Sequence, residues 1–500
     1  MAVSYAKIKK RISERRIVMT NSSLNKCELM FDFYELSQAN GFLRTGIDST
    51  VAWFDMFFRP SAEMGGFCIM AGIKQLTDYM TNLSFSEDEL QFLSEKGLSD
   101  EFIEYLRNFS FTCDIWAVPE GTPVFANEPV IKVRGPVIQA QMLETLILLS
   151  VNHQSLVATK ANRIVRAAGG RAIIESGARR AHGAVAAMGG TRSAYIGGCC
   201  ATTNVAAAME YDIPLFSAMS NTWIQMFDSE YEAFATYCRE YPDNCVLLID
   251  TYDTMDKGLP DAIRAFDEIL TPMGKRPKGV RINSGDLAYL SKKIRRVLNE
   301  SGYPDCDIYA SNSLDEYIIR DMLQNGARID SFLVGERMIT SASNPVMPGS
   351  YKLSAIERDG EIIPKIKIYE NVSKITTPCP KLLWRLFDNE TGKAIADVLT
   401  LQDEDLSDCK EYELFDPDYT WKKKTVTDFV ARQLLVKIVE NGEVIYSFPD
   451  AESIRNYCAE QIDTLWEEVV RFEYPHNYYV DLSQRLWSLK QKMIDECFNK

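Results

Sequence analysis

Between residue 137 and about 350, short apolar runs alternate with amphipathic helical segments at a near-constant pitch, and that alternation limits the fold more than any other feature of the chain. The runs are Ala172–Glu175, Ile213–Ser217, Cys245–Asp250, Gly279–Asn283, Ile308–Ser311 and Phe332–Gly335. After the fourth run, Leu287, Leu290, Ile294, Val297 and Leu298 fall on one helical face. After the fifth, Ser313-x-x-Glu316 reads as a capping box and Asn325-Gly326 as a helix stop. Strand and helix alternating in this way make parallel βαβ units, as an open doubly wound sheet or as a (β/α) barrel. Five of the six runs end in residues able to do chemistry: Glu175; Asp250 and Asp253; Arg281, Ser284 and Asp286; Ser311 and Asn312; Gly335 and Glu336. A barrel gathers all its strand ends round one pocket, whereas an open sheet binds ligands only at its switch point. The turn preference of Asp, Ser and Gly accounts for one or two such ends, but less well for five.

The flanks have a different texture. Residues 1–136 read as an α+β domain, with strands at Val51–Phe58 and Phe67–Ala71, capped helices over Glu87–Leu106, and strands over Ile115–Val133 broken by turns. Residues 137–350 form the barrel domain, opening with the helical segment Ile138–Ala168. Residues 351–500 read as a C-terminal α+β extension, with antiparallel strands in Tyr351–Tyr369, Lys381–Leu386 and Leu435–Tyr446, a loop-rich charged stretch over 402–428, and helices at Ser453–Val470 and Leu482–Cys497.

Composition narrows the function. Across 500 residues, 55 Lys and Arg face 70 Asp and Glu, a net charge of −15. That excludes a general nucleic-acid binder, whose affinity rests on neutralising backbone phosphates, so any phosphate must be small and held by a local cluster. Twelve cysteines without a C-x-x-C spacing argue for reduced thiols rather than a disulfide scaffold or a zinc finger. The three histidines, His153, His182 and His476, are too scattered to suggest a histidine metal centre. The basic start, residues 1–20, lacks the apolar segment of a secretory signal. The apolar stretch Leu146–Val151 falls far short of the roughly 18 residues needed to span a membrane. A cytoplasmic protein that binds neither membrane nor nucleic acid is expected.

Five clusters carry chemistry. Glu175-Ser176-Gly177-Ala178-Arg179-Arg180 sets two guanidinium groups after a glycine turn, suited to a phosphate or pyrophosphate, or else an ion-paired corner in which one arginine holds Glu175. Asp250 and Asp253 at one strand end suit Mg²⁺ or ribose hydroxyls, or else an Asx turn and a cap. Alternation puts Arg281 and Asn283 on the same side of a strand, and in a barrel interior Arg281 needs an anion, for which a small carboxylate would serve. Ser284-Gly285-Asp286 then opens a helix, with Asp286 either facing ligand or capping. At the last two ends, Asn312 and Gly335 suit close approach to a phosphate, while Glu336 would repel one. Together these describe a sugar-phosphate pocket without naming a base or a reaction.

Longer strings name a family. The chain resembles nicotinate phosphoribosyltransferases through Phe31-Asp32-Phe33-Tyr34-Glu35-Leu36, Pro119-Glu120-Gly121-Thr122-Pro123-Val124, Ala158-Thr159-Lys160-Ala161, the arginine corner at 175–183, Tyr195-Ile196-Gly197-Gly198, Asp250–Thr254, most of Arg281–Leu287, and Ser311-Asn312. The resemblance implies an irregular (β/α) barrel with an α+β N-terminal domain and a C-terminal extension packing back on it. It also implies a homodimer with each site near the interface. The reaction would join nicotinate to phosphoribosyl pyrophosphate, giving nicotinate mononucleotide and pyrophosphate for NAD biosynthesis, with Mg²⁺ and ATP coupling. Tyr34 would stack on the pyridine in the partner's site, Arg281 would hold the nicotinate carboxylate, and Arg179 and Arg180 would face phosphates.

The chain departs from the family pattern inside the expected site. Where the family reads Gly-Thr-x-Ala-His, the chain reads Ser217-Ala218-Met219-Ser220-Asn221. That histidine is the residue the family phosphorylates from ATP, and the amide of Asn221 cannot form such an intermediate. Ala218 lacks a hydroxyl associated with nicotinate, Asn283 stands where an aspartate is usual, and Gly335-Glu336 replaces Gly-Thr. Asp250, Asp286 and Asn221 are therefore the expected catalytic positions, with ATP coupling in question. Ala218 leaves open a phosphoribosyltransferase for another aromatic acid. Asn221 and Glu336 leave open a non-catalytic homologue that binds a ligand.

Overall fold

The computed structural model describes residues 29–60, 66–371 and 374–498, so the basic start read above lies outside the described residues. The molecule is organised around one helix, Glu144–Ala167, whose 24 residues span about 36 Å. Its first turns bury Leu146, Ile147 and Val151 in one core. Its later turns bury Val157, Ala161 and Ile164 in another. The helix therefore fastens two differently built layers to each other.

The first layer is a seven-stranded antiparallel sheet. Val51–Phe58 pairs with Ile131–Pro136 on one side and Gly349–Arg358 on the other. Asp114–Ala117 pairs with Ile131–Pro136 and with Val436–Glu440. Strands from beyond residue 348 thus flank the N-terminal strands on both sides, and the extension packs back by completing their sheet. A four-stranded sheet of Phe429–Gln433, Lys381–Asp388, Ala394–Leu401 and Val480–Leu482 carries the rest of the extension. The stretch 402–428 holds a hairpin, Glu411–Phe415 with Lys423–Thr427. Its charged residues read as loop because both strands are largely exposed.

The second layer is a curled six-stranded parallel sheet in the spatial order Ala201–Thr202, Ala172–Glu175, Ser331–Val334, Asp307–Ser311, Gly279–Ile282, Val246–Leu248. From 246–248 to 331–334 chain neighbours are sheet neighbours, and the 172–175 strand pairs with the 331–334 strand, joining the start of the sequence of strands to its end, while 201–202 and 246–248 form the two edges. That order belongs to a barrel left open on one side, since a doubly wound sheet reverses direction at a switch point. The barrel is irregular. The run read as a strand at 213–217 contributes a single parallel bridge, Thr202 to Leu215, and among the described residues no ladder joins it to Val246–Leu248. Alternation along the strands divides two cores. Ile173, Leu247, Val280, Ile308, Ala310 and Phe332 face the helices. Ile174, Val246, Tyr309 and Leu333 fill the interior, with Phe216 and Ala218 packed against them.

One helix start differs from the sequence expectation. Asp315, not Ser313, caps Glu316–Gln324, accepting from the N–H groups of Tyr317 and Ile318. Glu316 is buried and bonded to Lys160 and Arg163 of the long helix. A buried glutamate gains more from two cations than from closing a capping box at the surface. The stop at Gly326 stands, with φ +78°.

Candidate active site

The strand ends meet at the open mouth of the barrel. Glu175 ends its strand buried, accepting from the N–H of Gly177 and from the hydroxyls of Thr191 and Thr202. Burial raises its pKa, against those three donors. Glu175 is therefore held by a backbone amide and two threonines rather than by an arginine. The turn it fixes leaves Arg179 and Arg180 exposed. Gly177 is required there, because a Cβ would stand 2.7 Å from Ile339 Cβ and 2.9 Å from the carbonyl oxygen of Gly335.

Arg281 lies within the mouth. Its Nη2 donates to the carbonyl of Met219 at 2.9 Å, pinning the 217–221 loop to the Gly279–Ile282 strand. Its Nε is buried with no hydrogen-bond partner among the described residues. Burial lowers its pKa, Asp250 opposes that shift, and the charge of Arg179 adds to it. The charge of Arg179 is thus felt at Arg281, whose guanidinium group keeps an unused donor. A buried donor without a partner is costly unless a ligand supplies the acceptor.

Around Arg281 the other strand ends are cross-linked. Asp250 accepts through Oδ2 from the Asn283 amide and from Ser284 Oγ, the latter at 2.8 Å. Asn283 Oδ1 accepts from Ser311 Oγ at 2.9 Å. Asn221 opens the short helix Asn221–Gln225 and accepts through Oδ1 from Thr251 Oγ1 at 3.0 Å. Ala218 packs at the edge of the interior core. Gly285 has φ +75°, turning the chain into the next helix. Asn312 and Ser313 follow Ser311 with φ +116° and +43°. Non-glycine residues in that region cost about 1–3 kcal/mol each and tend to gather at functional sites. Glu336 accepts from Ser313 Oγ at 2.6 Å, and its other oxygen lies 3.7 Å from Arg180 Nε.

Two expected ligand groups are occupied by local structure. Asp253 Oδ1 accepts from the N–H groups of Met255 and Asp256, and Asp286 Oδ1 from that of Tyr289. Both are caps. Among the described residues no cluster of three or more His, Cys, Asp or Glu could hold a metal. Asp250 remains the carboxylate best placed in the mouth. Tyr34 is elsewhere: its hydroxyl donates to Glu144 Oε2 at 2.7 Å, nine residues before His153 on the long helix. His153 sits beside the arginine corner, its Nε2 bonded to the Ile339 carbonyl, so Tyr34 lies about 13 Å farther along the helix axis. Three strings that carried the resemblance have structural roles here. Glu120 forms a paired bridge with Arg192 and accepts from the Gly72 and Ile73 amides. Lys160 bonds to Glu316 and to Ser343 Oγ. Glu35 accepts from the amide and hydroxyl of Thr145.

Sequence reasoning did not single out Ser313, Thr251 or the Met219 carbonyl as site groups. Only the helix-cap pattern drew attention to Ser313, and it assigned that residue the wrong task. A backbone carbonyl leaves no mark in the residue type.

Residues 29–152 match the model of the nicotinate phosphoribosyltransferase N-terminal domain, and residues 380–490 that of its C-terminal domain. A nicotinate phosphoribosyltransferase of Bacillus subtilis is 40% identical over 468 residues, covering 93% of this chain and 94% of that protein. One from Mycobacterium tuberculosis is 34% identical, covering 92% of each. The crystal structure of human nicotinic acid phosphoribosyltransferase superposes with a TM-score of 0.81 at 25% identity, covering 93% of this chain and 100% of that one.

Proposed function

The chain belongs to the nicotinate phosphoribosyltransferase family, and we propose that its barrel mouth joins nicotinate to phosphoribosyl pyrophosphate, releasing pyrophosphate, without a phosphorylated enzyme. The observation that carries the reading is the buried, unpartnered Nε of Arg281 beside the charge of Arg179. Arg281 would grip the carboxylate of the acceptor and orient its ring, while Arg179 and Arg180 would draw the phosphates of the donor. As pyrophosphate departs, the ribosyl carbon becomes cation-like. Asp250, a carboxylate already oriented by the Asn283 amide and Ser284, is placed to favour that charge. Its two bonds both fall on Oδ2.

Mg²⁺ fits as a companion of the donor rather than as a resident ion, because it binds through one or two carboxylates plus substrate phosphates and water. Asp250 would be its protein contact, with Asp253 able to reach it only by giving up its cap. When bound, the ion would neutralise charge on the leaving pyrophosphate. Asn221 supports transfer uncoupled from a phospho-enzyme, since its amide accepts from Thr251 and offers no nucleophilic ring nitrogen. We also take the enzyme to be a cytoplasmic homodimer, with Tyr34 serving the partner's site.

Incubation of the enzyme with nicotinate, phosphoribosyl pyrophosphate and Mg²⁺, followed by mass detection of the nucleotide, tests the reaction. Nicotinate mononucleotide is expected in the absence of ATP. A panel of other aromatic acids tests the room left by Ala218, and a product formed only from one of them would replace nicotinate as the substrate. With γ-labelled ATP, no label should remain on the protein.

A further inference from the structure

The Arg180 corner contains an acid that the proposed reaction does not use. Glu336 begins the short helix after the Ser331–Val334 strand, and its carboxylate spans two loops. One oxygen takes the Ser313 hydroxyl at 2.6 Å, and the other stands 3.7 Å from Arg180 Nε. The side chain is 42% exposed, and that of Arg180 61%, so the pair lies at the rim and is open to a ligand. Ser313 is held in the left-handed region at φ +43°, which aims its hydroxyl at Glu336 as part of a strained loop. A carboxylate in this seat has the shape and charge of the group that an arginine fork otherwise takes from a phosphate.

We propose that Glu336 is a specificity-determining residue that occupies the Arg180 seat with its own carboxylate, so that a phosphate of the ribosyl donor is bound there only in competition with it. This rests on the reading of the mouth as a phosphoribosyl site. The consequence is asymmetric. Binding at the Arg281 end, where the acceptor carboxylate docks, is independent of Glu336. Binding of phosphate at the Arg180 end is weakened by one nearby negative charge and by the lost use of Arg180.

Calorimetry on the full chain with two probes, nicotinate and ribose 5-phosphate, tests it in wild type, Glu336→Gln, and Glu336→Gln combined with Arg180→Ala. Glutamine keeps the length and the Ser313 contact while removing the charge. Glu336→Gln should bind ribose 5-phosphate about three- to fivefold tighter, the scale expected for removing one charge at close range from a partly exposed site. Nicotinate affinity should stay the same, and the gain should vanish when Arg180 is also removed. A ribose 5-phosphate affinity within about twofold of wild type, with nicotinate still bound, would overturn the role of Glu336 and leave the functional reading standing. A gain of equal size for both probes would overturn it too, because it would report a general field rather than one seat. If no variant binds nicotinate but Glu336→Gln still gains ribose 5-phosphate through Arg180, the role of Glu336 stands and the nicotinate reading fails.

Discussion

The arginines of the scaffold and those of the barrel mouth are the same residue in opposite conditions. Arg385 is fully buried and gives Nε and Nη2 to the two oxygens of Asp397, and Nη2 also to the Pro123 carbonyl. Arg192 meets Glu120 through both terminal nitrogens. Arg163, with Lys160, closes on Glu316. In the mouth, Arg281 spends one nitrogen on a carbonyl and leaves Nε unpartnered, while Arg179 raises the local positive charge. Arg385 too keeps one nitrogen, Nη1, without a partner among the described residues, so the contrast lies in the ion pair: Arg385 has a built-in carboxylate, and Arg281, on the proposed reading, takes its carboxylate from a ligand. Glu336 is the intermediate case, an acid supplied by the chain at the place where an anionic ligand would bind.

The comparison breaks most severely if a paired arginine proves dispensable. Arg385→Ala leaves Asp397 buried and uncompensated and should cost about 3–5 kcal/mol, read as a large fall in melting temperature or as loss of soluble protein. Arg281→Ala should cost much less stability, because the lost bond to the Met219 carbonyl is partly offset by removal of an unsatisfied buried donor, while nicotinate affinity in calorimetry falls by about 1.5–3 kcal/mol, the worth of a hydrogen bond to a charged group. Arg179→Ala should weaken ribose 5-phosphate by roughly 0.2–1 kcal/mol, as expected for an exposed charge, and the loss should shrink with added salt.

A pH series sharpens the comparison from the acidic side. Glu35 is buried with no cation paired to it among the described residues, and burial lifts its carboxyl from 4.5 to about 7. A raised folded-state value means that the folded protein holds this proton more tightly than the unfolded chain. The associated stability is fully present below pH 4.5 and is lost as pH rises through about 7. Glu35→Gln should remove that part of the slope, seen as a flatter melting temperature between pH 5 and 8. An unchanged slope would mean that Glu35 titrates alike in both states.

Much of the site was legible because strand ends are local. Glu175, Asp250, Arg281, Ser311 and Gly335 could be read from apolar runs that stop at polar residues, and the structure brings these ends to one mouth. The tasks of individual acids were less legible. Asp253 and Asp286 resembled ligand groups and are caps, since a carboxylate one residue before a helix is claimed first by the free amides beside it. Ser313 and Glu316 matched a capping box, but each is taken by a partner distant in sequence, Glu336 and the pair Lys160 and Arg163.

The sequence by itself determined the βαβ alternation, the polar strand ends and the family strings, because hydrophobic period and turn chemistry act over a few residues. The tertiary structure alone decided which cations are paired. Arg385 with Asp397, Arg192 with Glu120, and Arg281 with the Met219 carbonyl and the opposed charges of Asp250 and Arg179 are set by distances through space between segments far apart in the chain. In a low-dielectric interior, those distances separate an arginine held by a carboxylate of the chain from one left with an unused donor.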